Sequence, residues 1–145
     1  MNNRLPECDF GDPGSVVTAF ITAMNAWEIA AWKAQRASRE SGNQSAYQSP
    51  VLAEMNRIFR AYCTPKERKR GRKGSFQRPP EYDPDNEAIM DVAVDDGQRR
   101  AFVTTKRQAV LGGGAYRYTL HNRHGKWLIE NLKRESDGKW INHIL

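Results

Sequence analysis

Residues 87–105, EAIMDVAVDDGQRRAFVTT, decide the fold class, because the hydrophobic pattern here takes a period of two. That period predicts a strand with one face toward water. Asp96-Gly97 predicts a tight hairpin turn, after which residues 101–105 begin the partner strand. Apolar residues alternate with acidic ones along the first strand: Ala88, Met90, Val92 and Val94 against Glu87, Asp91 and Asp95.

Three more strand-like segments follow, at residues 116–121, 126–133 and 140–144. The last two are introduced by His124-Gly125 and Asp137-Gly138, which are turn signals. Consecutive strands joined by tight turns usually pair as neighbours. The C-terminal half therefore predicts a meander of about five antiparallel strands.

Upstream of residue 87, the period changes to that of a helix. We predict one helix over residues 15–38, with Asp12-Pro13 as its cap and first turn. A second is predicted over residues 50–62, capped by Ser49. Helices first and sheet second indicate an α+β fold, two helices packed on an antiparallel sheet. The first helix places six apolar residues on one face: Val17, Phe20, Ile21, Met24, Trp27 and Ala31.

At 145 residues the chain is expected to form a single domain. We divide it into an N-terminal arm (1–14), a helical part (15–62), a basic loop (63–86) and the meander (87–145). No stretch approaches the roughly 20 apolar residues of a membrane span, and the polar start lacks the core of a secretory signal. The expected location is the cytoplasm.

The net charge of +6 is concentrated in one place. Residues 64–80 carry seven basic side chains and one acidic one, whereas the rest of the chain holds 16 of each sign. A protein-docking element and a merely solvated loop explain this cluster about equally well. Nucleic-acid binding is less favoured, because the cluster is one short run without a recognition-helix pattern.

Five segments, in order along the chain, resemble the immunity-protein branch of the nuclear transport factor 2-like superfamily. They are FITAMNAWE (20–28), YCTPK (62–66), PPEYDP (79–84), YRY (116–118) and GKW (125–127). The resemblance implies a cone-shaped fold with a curved sheet. It also implies an antitoxin role in bacterial competition: binding and neutralising a polymorphic or contact-dependent toxin encoded beside it. Because sheet-to-sheet dimers are common in this superfamily, a homodimer is left open.

On that interpretation the basic loop is the expected partner-binding element, chosen because it is long, charged and not needed for the core. Inhibitors that plug nuclease clefts tend to be acidic, whereas no acidic face is visible here. An acidic toxin surface is therefore expected. The expected contact residues are Arg68, Lys69, Arg70, Arg72, Lys73 and Phe76.

The alternative is a small cone-fold enzyme of the isomerase or cyclase type, with Glu28 as general base in a hydrophobic pocket. We favour a structural Glu28 that pairs with an arginine or a backbone donor. No nucleophile motif, cofactor fingerprint or metal-ligand spacing is visible, and we expect no catalysis, no cofactor and no metal. The expected pocket-lining residues are Trp27, Glu28, Trp32, Tyr62 and Trp127.

Overall fold

The computed structural model describes residues 4–43, 45–66, 68, 80–108 and 113–145. Within them, two helices precede one five-stranded sheet whose strands lie side by side in chain order, all neighbours antiparallel. This confirms the α+β fold class. The elements are α1 (Pro13–Glu40), α2 (Gln48–Tyr62), β1 (Glu87–Val94), β2 (Arg100–Arg107), β3 (Gly114–Arg123), β4 (Lys126–Ser136) and β5 (Lys139–His143).

Helix α1 begins as its sequence predicts. The Asp12 carboxylate accepts a hydrogen bond from the Gly14 amide at 3.0 Å, and Pro13 occupies the first helical position. The predicted apolar stripe is buried along the helix, with Phe20 and Met24 fully inaccessible. Among the described residues, no helix is both long enough and apolar enough to cross a bilayer.

The start of helix α2 differs from the prediction. Ser49 lies inside the first turn, and the capping position is Tyr47, whose backbone is already helical. The turn over residues 45–47 feeds straight into the helix, because the Val51 amide donates to the Tyr47 carbonyl. No side chain caps this end.

Two of the three predicted hairpin turns form as expected, with positive φ at both central residues of His124-Gly125 and Asp137-Gly138. The turn between β1 and β2 is longer. Gln98, not Gly97, takes the positive φ, and the Asp95 amide bonds to the Arg100 carbonyl to close the loop.

Strand β1 does not have the single wet face that its alternation predicts. Only Glu87 is buried, and the other seven residues are exposed. A bulge between Ile89 and Asp91 shifts the alternation by one residue. As a result, Ala88 and Val92, predicted to share a face, point to opposite faces of the sheet.

The hydrophobic core lies between the helices and one face of strands β2–β4. Helix α1 packs on β2 and β4, while α2 packs on α1. The largest fully buried apolar and aromatic side chains come from both layers and from the segment before β1: Tyr62, Tyr82, Tyr118, Phe20, Met24, Ile58, Leu120, Ile129 and Leu132.

Candidate functional site

The residues expected to line a pocket are mostly part of this core. Trp27, Tyr62 and Trp127 are 3 %, 2 % and 4 % exposed. The Trp27 indole donates to the Val51 carbonyl at 2.9 Å, and the Tyr62 hydroxyl donates to the Pro6 carbonyl at 2.6 Å. Tyr62 also borders an open cleft of about 400 Å³ beside the N-terminal arm. These aromatic rings therefore fill the space between helices and sheet.

Trp32 lies apart from them, one turn beyond Glu28 on helix α1. It is partly exposed, and the Arg36 guanidinium lies 5.4 Å from the centre of its ring. The structure therefore does not bring all five expected pocket residues into one cavity.

Glu28 is fully buried and holds backbone rather than a ligand. One carboxylate oxygen accepts from the Glu81 amide at 2.9 Å and the other from the Tyr82 amide at 3.0 Å. A buried carboxylate needs such donors to offset its loss of water. Glu28 thus fixes residues 81–82 over the core, which is the structural role that sequence reasoning favoured.

Sequence reasoning missed a buried ion-pair cluster where the start of β1 meets the end of β2. Arg107, 5 % exposed, donates from Nε to Glu87 at 2.9 Å and from a terminal nitrogen to Glu81 at 3.0 Å. Its guanidinium also lies 3.8 Å from the centre of the Tyr116 ring. Although burial opposes a charged guanidinium, the acidic groups around it raise the pKa of Arg107.

Hydrogen bonds around the second oxygen of Glu87 complete this Arg107 cluster. Thr105 donates to that oxygen at 2.6 Å and the Tyr118 hydroxyl donates at 2.9 Å. Burial, together with the Glu87 charge, raises the pKa of Tyr118 well above its usual value. His143 lies 3.0 Å from Glu81, so the cluster also ties strand β5 to the segment before β1.

The sequence contains the oppositely charged residues of this cluster, but which of them meet depends on the strand register. Glu87 and Arg107 are twenty residues apart, on either side of the predicted hairpin turn. The register pairs them directly. Closing the hairpin residue by residue from Asp96-Gly97 would have paired Glu87 with Lys106, so the sequence could indicate an ion pair here but not Arg107 as the partner.

The basic loop is anchored where it leaves helix α2. After the helix, Cys63 forms a parallel bridge with Ile129, and the Thr64 amide donates to the Ile129 carbonyl at 2.8 Å. Arg68 donates to the carbonyls of Thr64, Ile129 and Glu130 at 3.1 to 3.3 Å. Its guanidinium therefore holds the loop to strand β4. The other expected contact residues, Lys69, Arg70, Arg72, Lys73 and Phe76, lie outside the described part of the chain.

Glu130 is the acidic counterpart of this anchor. Its carboxylate accepts from the Thr64 hydroxyl at 2.6 Å and pairs with Lys66 at 2.9 Å. Partial burial would raise the pKa of Glu130, but these two hydrogen bonds outweigh it and the pKa is lowered. Lys66 itself remains 41 % exposed.

A cavity of about 210 Å³ opens beside the anchor. Lys66, Arg68, Glu130 and Asn131 line one side, and residues 142–145 line the other. The side-chain oxygen of Asn131 is buried without a hydrogen-bond partner among the described residues. Across the same described residues, no three His, Cys, Asp or Glu side chains come together as a metal site requires.

Comparison with known proteins agrees with the observed architecture. Residues 12–143 match the family described as NTF2 fold immunity protein. The chain is also similar to Immunity protein RhsIA of Dickeya dadantii (strain 3937), with 34% identity over 134 residues, 90% of this chain and 93% of that protein. No solved structure matches the chain. A family match over nearly the whole chain, on this architecture, establishes that the protein belongs to the NTF2 fold immunity proteins.

Proposed function

We propose that the protein protects a bacterial cell by binding and neutralising a cognate toxin, stoichiometrically and without catalysis, in the cytoplasm. The observation that carries this proposal is the family match over residues 12–143, together with the similarity to a protein named for immunity. Immunity of this kind needs a stable surface that recognises one partner, and it needs no reacting groups.

The interior supports binding rather than catalysis. In a cone-fold enzyme the space between helices and sheet would receive substrate, whereas here Trp27 and Trp127 occupy it as core residues. The carboxylate that would act as general base, Glu28, accepts two backbone amides instead. A general base must reach its substrate proton, and Glu28 is 0 % exposed.

We propose the basic loop as one toxin-contacting element. Its anchor is held at several points, because Arg68 donates to the Ile129 carbonyl and Glu130 accepts from the Thr64 hydroxyl. Lys66 projects from that anchor, followed in sequence by Lys69, Arg70, Arg72 and Lys73. Clustered cations steer acidic partners and pair with carboxylates, in the case of arginine through two parallel hydrogen bonds.

The direct test is co-expression with the toxin encoded beside the gene, scored by cell survival and by recovery of a one-to-one complex. Survival together with a complex supports the proposal. Death of the co-expressing cells, or survival without any complex, contradicts it. Glu28→Gln distinguishes the enzyme alternative, because a binding protein that still folds keeps its protection.

The contribution of the loop is tested separately by changing Lys69, Arg70, Arg72 and Lys73 together to glutamine. We expect weaker toxin binding, mainly through slower association, and a smaller effect of added salt. A matched control removes four exposed charges elsewhere. Unchanged binding in the loop variant would remove the loop from the interface. The control positions are Lys33, Arg39, Arg60 and Arg123.

A further inference from the structure

Strand β1 carries an unusual concentration of exposed apolar side chains, which we name the β1 strip: Ile89, Met90, Val92 and Val94. They are 38 %, 63 %, 42 % and 44 % exposed. Only seven large apolar residues of the described chain are exposed, so more than half lie on one eight-residue strand. Contiguous apolar surface of this kind marks interaction sites more often than isolated residues do.

The strip continues the core face of the sheet beyond its helical cover. Ile89, Val92 and Val94 stand opposite residues 105, 103 and 101 of β2, all of which are 0 % exposed. The first turn of helix α1 reaches the strip. A Cβ placed on Gly14 would lie 3.5 Å from Val92 and 3.6 Å from Ile89. The first turn of the helix therefore contacts Val92 and Ile89, but it does not cover the strip, whose side chains stay exposed.

The backbone of β1 is open as well. The strand is at the end of the sheet, and on its outer side no described strand pairs with it. An edge strand presents a row of backbone donors and acceptors that an extended segment of another chain can join. The strip and the open backbone together form a surface for strand addition.

The added strand can come from a second copy of this protein or from the toxin, and the charges at this edge favour one over the other. Asp91 lies opposite Thr104, on the face of the sheet away from the β1 strip, whereas Asp12 lies on the helix side, bonded to the Gly14 amide near Val92. Both are exposed, and neither forms an ion pair with another described residue. A second copy pairing antiparallel about the middle of β1 would bring two Asp91 carboxylates close together, which is unfavourable. A partner with basic side chains meets no such penalty.

We propose that β1 is a docking edge for the cognate toxin. An extended toxin segment adds to the sheet and its apolar side chains cover the β1 strip. One basic side chain on the opposite face of that segment pairs with Asp91, and another, on the helix side, pairs with Asp12. The proposal rests on the proposed toxin binding. It locates a second contact three strand spacings, or about 14 Å, from β4, the strand whose Glu130 pairs with Lys66. A standard-size interface spans that distance.

Titration calorimetry with the purified toxin domain tests the proposal. We expect Val92→Lys/Val94→Lys to weaken binding by about 100-fold, as loss of a central apolar contact does. The matched control is Ile141→Lys on β5, because Ile141 is 37 % exposed on the other edge strand. It should bind within about threefold of the unmodified protein. Met90→Lys, at the most exposed position, gives a second variant that leaves the helix contact intact.

Hydrogen exchange locates the contact independently of substitution. On complex formation we expect slower amide exchange in residues 87–95 and unchanged exchange in residues 139–143. If the unmodified protein binds toxin and the lysine variants bind equally well, the docking edge is wrong while toxin binding stands. If the unmodified protein binds no toxin, the proposed function fails first. A free dimer that Val92→Lys/Val94→Lys dissociates would assign the edge to a second copy and overturn the proposal.

Discussion

Strands β3 and β1 present the same face of one sheet, yet that face is buried at β3 and open at β1. Tyr118 and Leu120 of β3 are 0 % exposed, and β3 lies between β2 and β4, the two strands on which helix α1 packs. Val92 and Val94 of β1, on the same face, are 42 % and 44 % exposed. Both strands are rich in apolar residues, so composition does not separate them. What separates the buried strand from the exposed one is that β3 lies between the two strands on which helix α1 packs, whereas β1 is at the edge of the sheet.

The Arg107 cluster joins β1 to both β2 and β3, and breaking it should have the largest effect on stability. Arg107→Ala leaves Glu87 buried without its cation, so we expect the free energy of unfolding to fall by about 3–5 kcal/mol in urea denaturation. Arg107→Met combined with Glu87→Gln removes both charges and should recover part of the loss. A single variant as stable as the unmodified protein would mean that the cluster is not structural.

The contrast between the two strands is tested directly by equivalent truncations. Leu120→Ala should lower the free energy of unfolding by about 2–5 kcal/mol, because it empties a packed site. Val92→Ala should change it by less than about 1 kcal/mol, since its side chain is already half in water. Equal losses at the two positions, measured in the same denaturant series, would contradict the difference in burial.

Substitutions of Glu28 test how much its hydrogen bonds between helix α1 and the segment before β1 contribute to stability. In Glu28→Gln the carboxamide oxygen still accepts a hydrogen bond from one of the two backbone amides, Glu81 or Tyr82. The NH₂ group cannot accept from the other. Leaving that donor unsatisfied should cost about 1–3 kcal/mol in the free energy of unfolding. Glu28→Ala, which abandons both donors, should cost more than Glu28→Gln. Protection against the toxin should persist in Glu28→Gln at temperatures where the variant stays folded.

The smallest expected effect is a loss of stability at high pH. Burial raises the pKa of Cys63 from 9.0 to about 12, and burial likewise raises the pKa of Tyr62 from 10.0 to about 12. Both groups keep their protons in the folded protein while the unfolded chain loses them. The raised pKa values therefore stabilise the fold fully below pH 9, and this contribution declines as pH rises toward 12.

Cys63 alone should account for roughly 1 kcal/mol of that decline by pH 10, at about 1.4 kcal/mol for each pH unit. The measurement is the difference in free energy of unfolding between pH 8 and pH 10, compared between the unmodified protein and Cys63→Ala. Cys8→Ser is the comparison: burial also raises the pKa of Cys8, but this cysteine is only partly buried, so its removal should change the pH dependence less than Cys63→Ala does. An identical pH dependence in all three proteins would contradict the assignment to Cys63.

Sequence reasoning was strongest where a feature depends on neighbours in the chain. The Asp12 cap, the α1 stripe and the turns at 124–125 and 137–138 are local, and each was predicted correctly. The bulge at Met90 was not predicted, because a single extra residue leaves the composition of a strand unchanged while it reverses the facing of everything before it.

The parts of the site that were missed all join distant segments. Arg107 pairs with Glu87 through strand register, and Arg68 binds carbonyls of β4 that lie about sixty residues along the chain. Neither contact produces a periodic pattern of residues in the sequence from which it could have been predicted. Arg68 was predicted as a partner contact because it belongs to the basic cluster. In the structure its guanidinium also donates to carbonyls of β4 and so holds the basic loop to the sheet.

The bridge between Cys63 and Ile129 has a consequence for the order in which the chain folds. Strand β4 must be in place before residues 63–64 can join its edge, and closing a loop of that length is entropically costly. Hairpins between neighbouring strands close over far shorter spans and form within microseconds. The β3–β4 hairpin therefore forms first and acts as the template on which the end of helix α2 is captured. Substitutions in that hairpin should slow folding itself, whereas substitutions at the bridge should mainly speed unfolding.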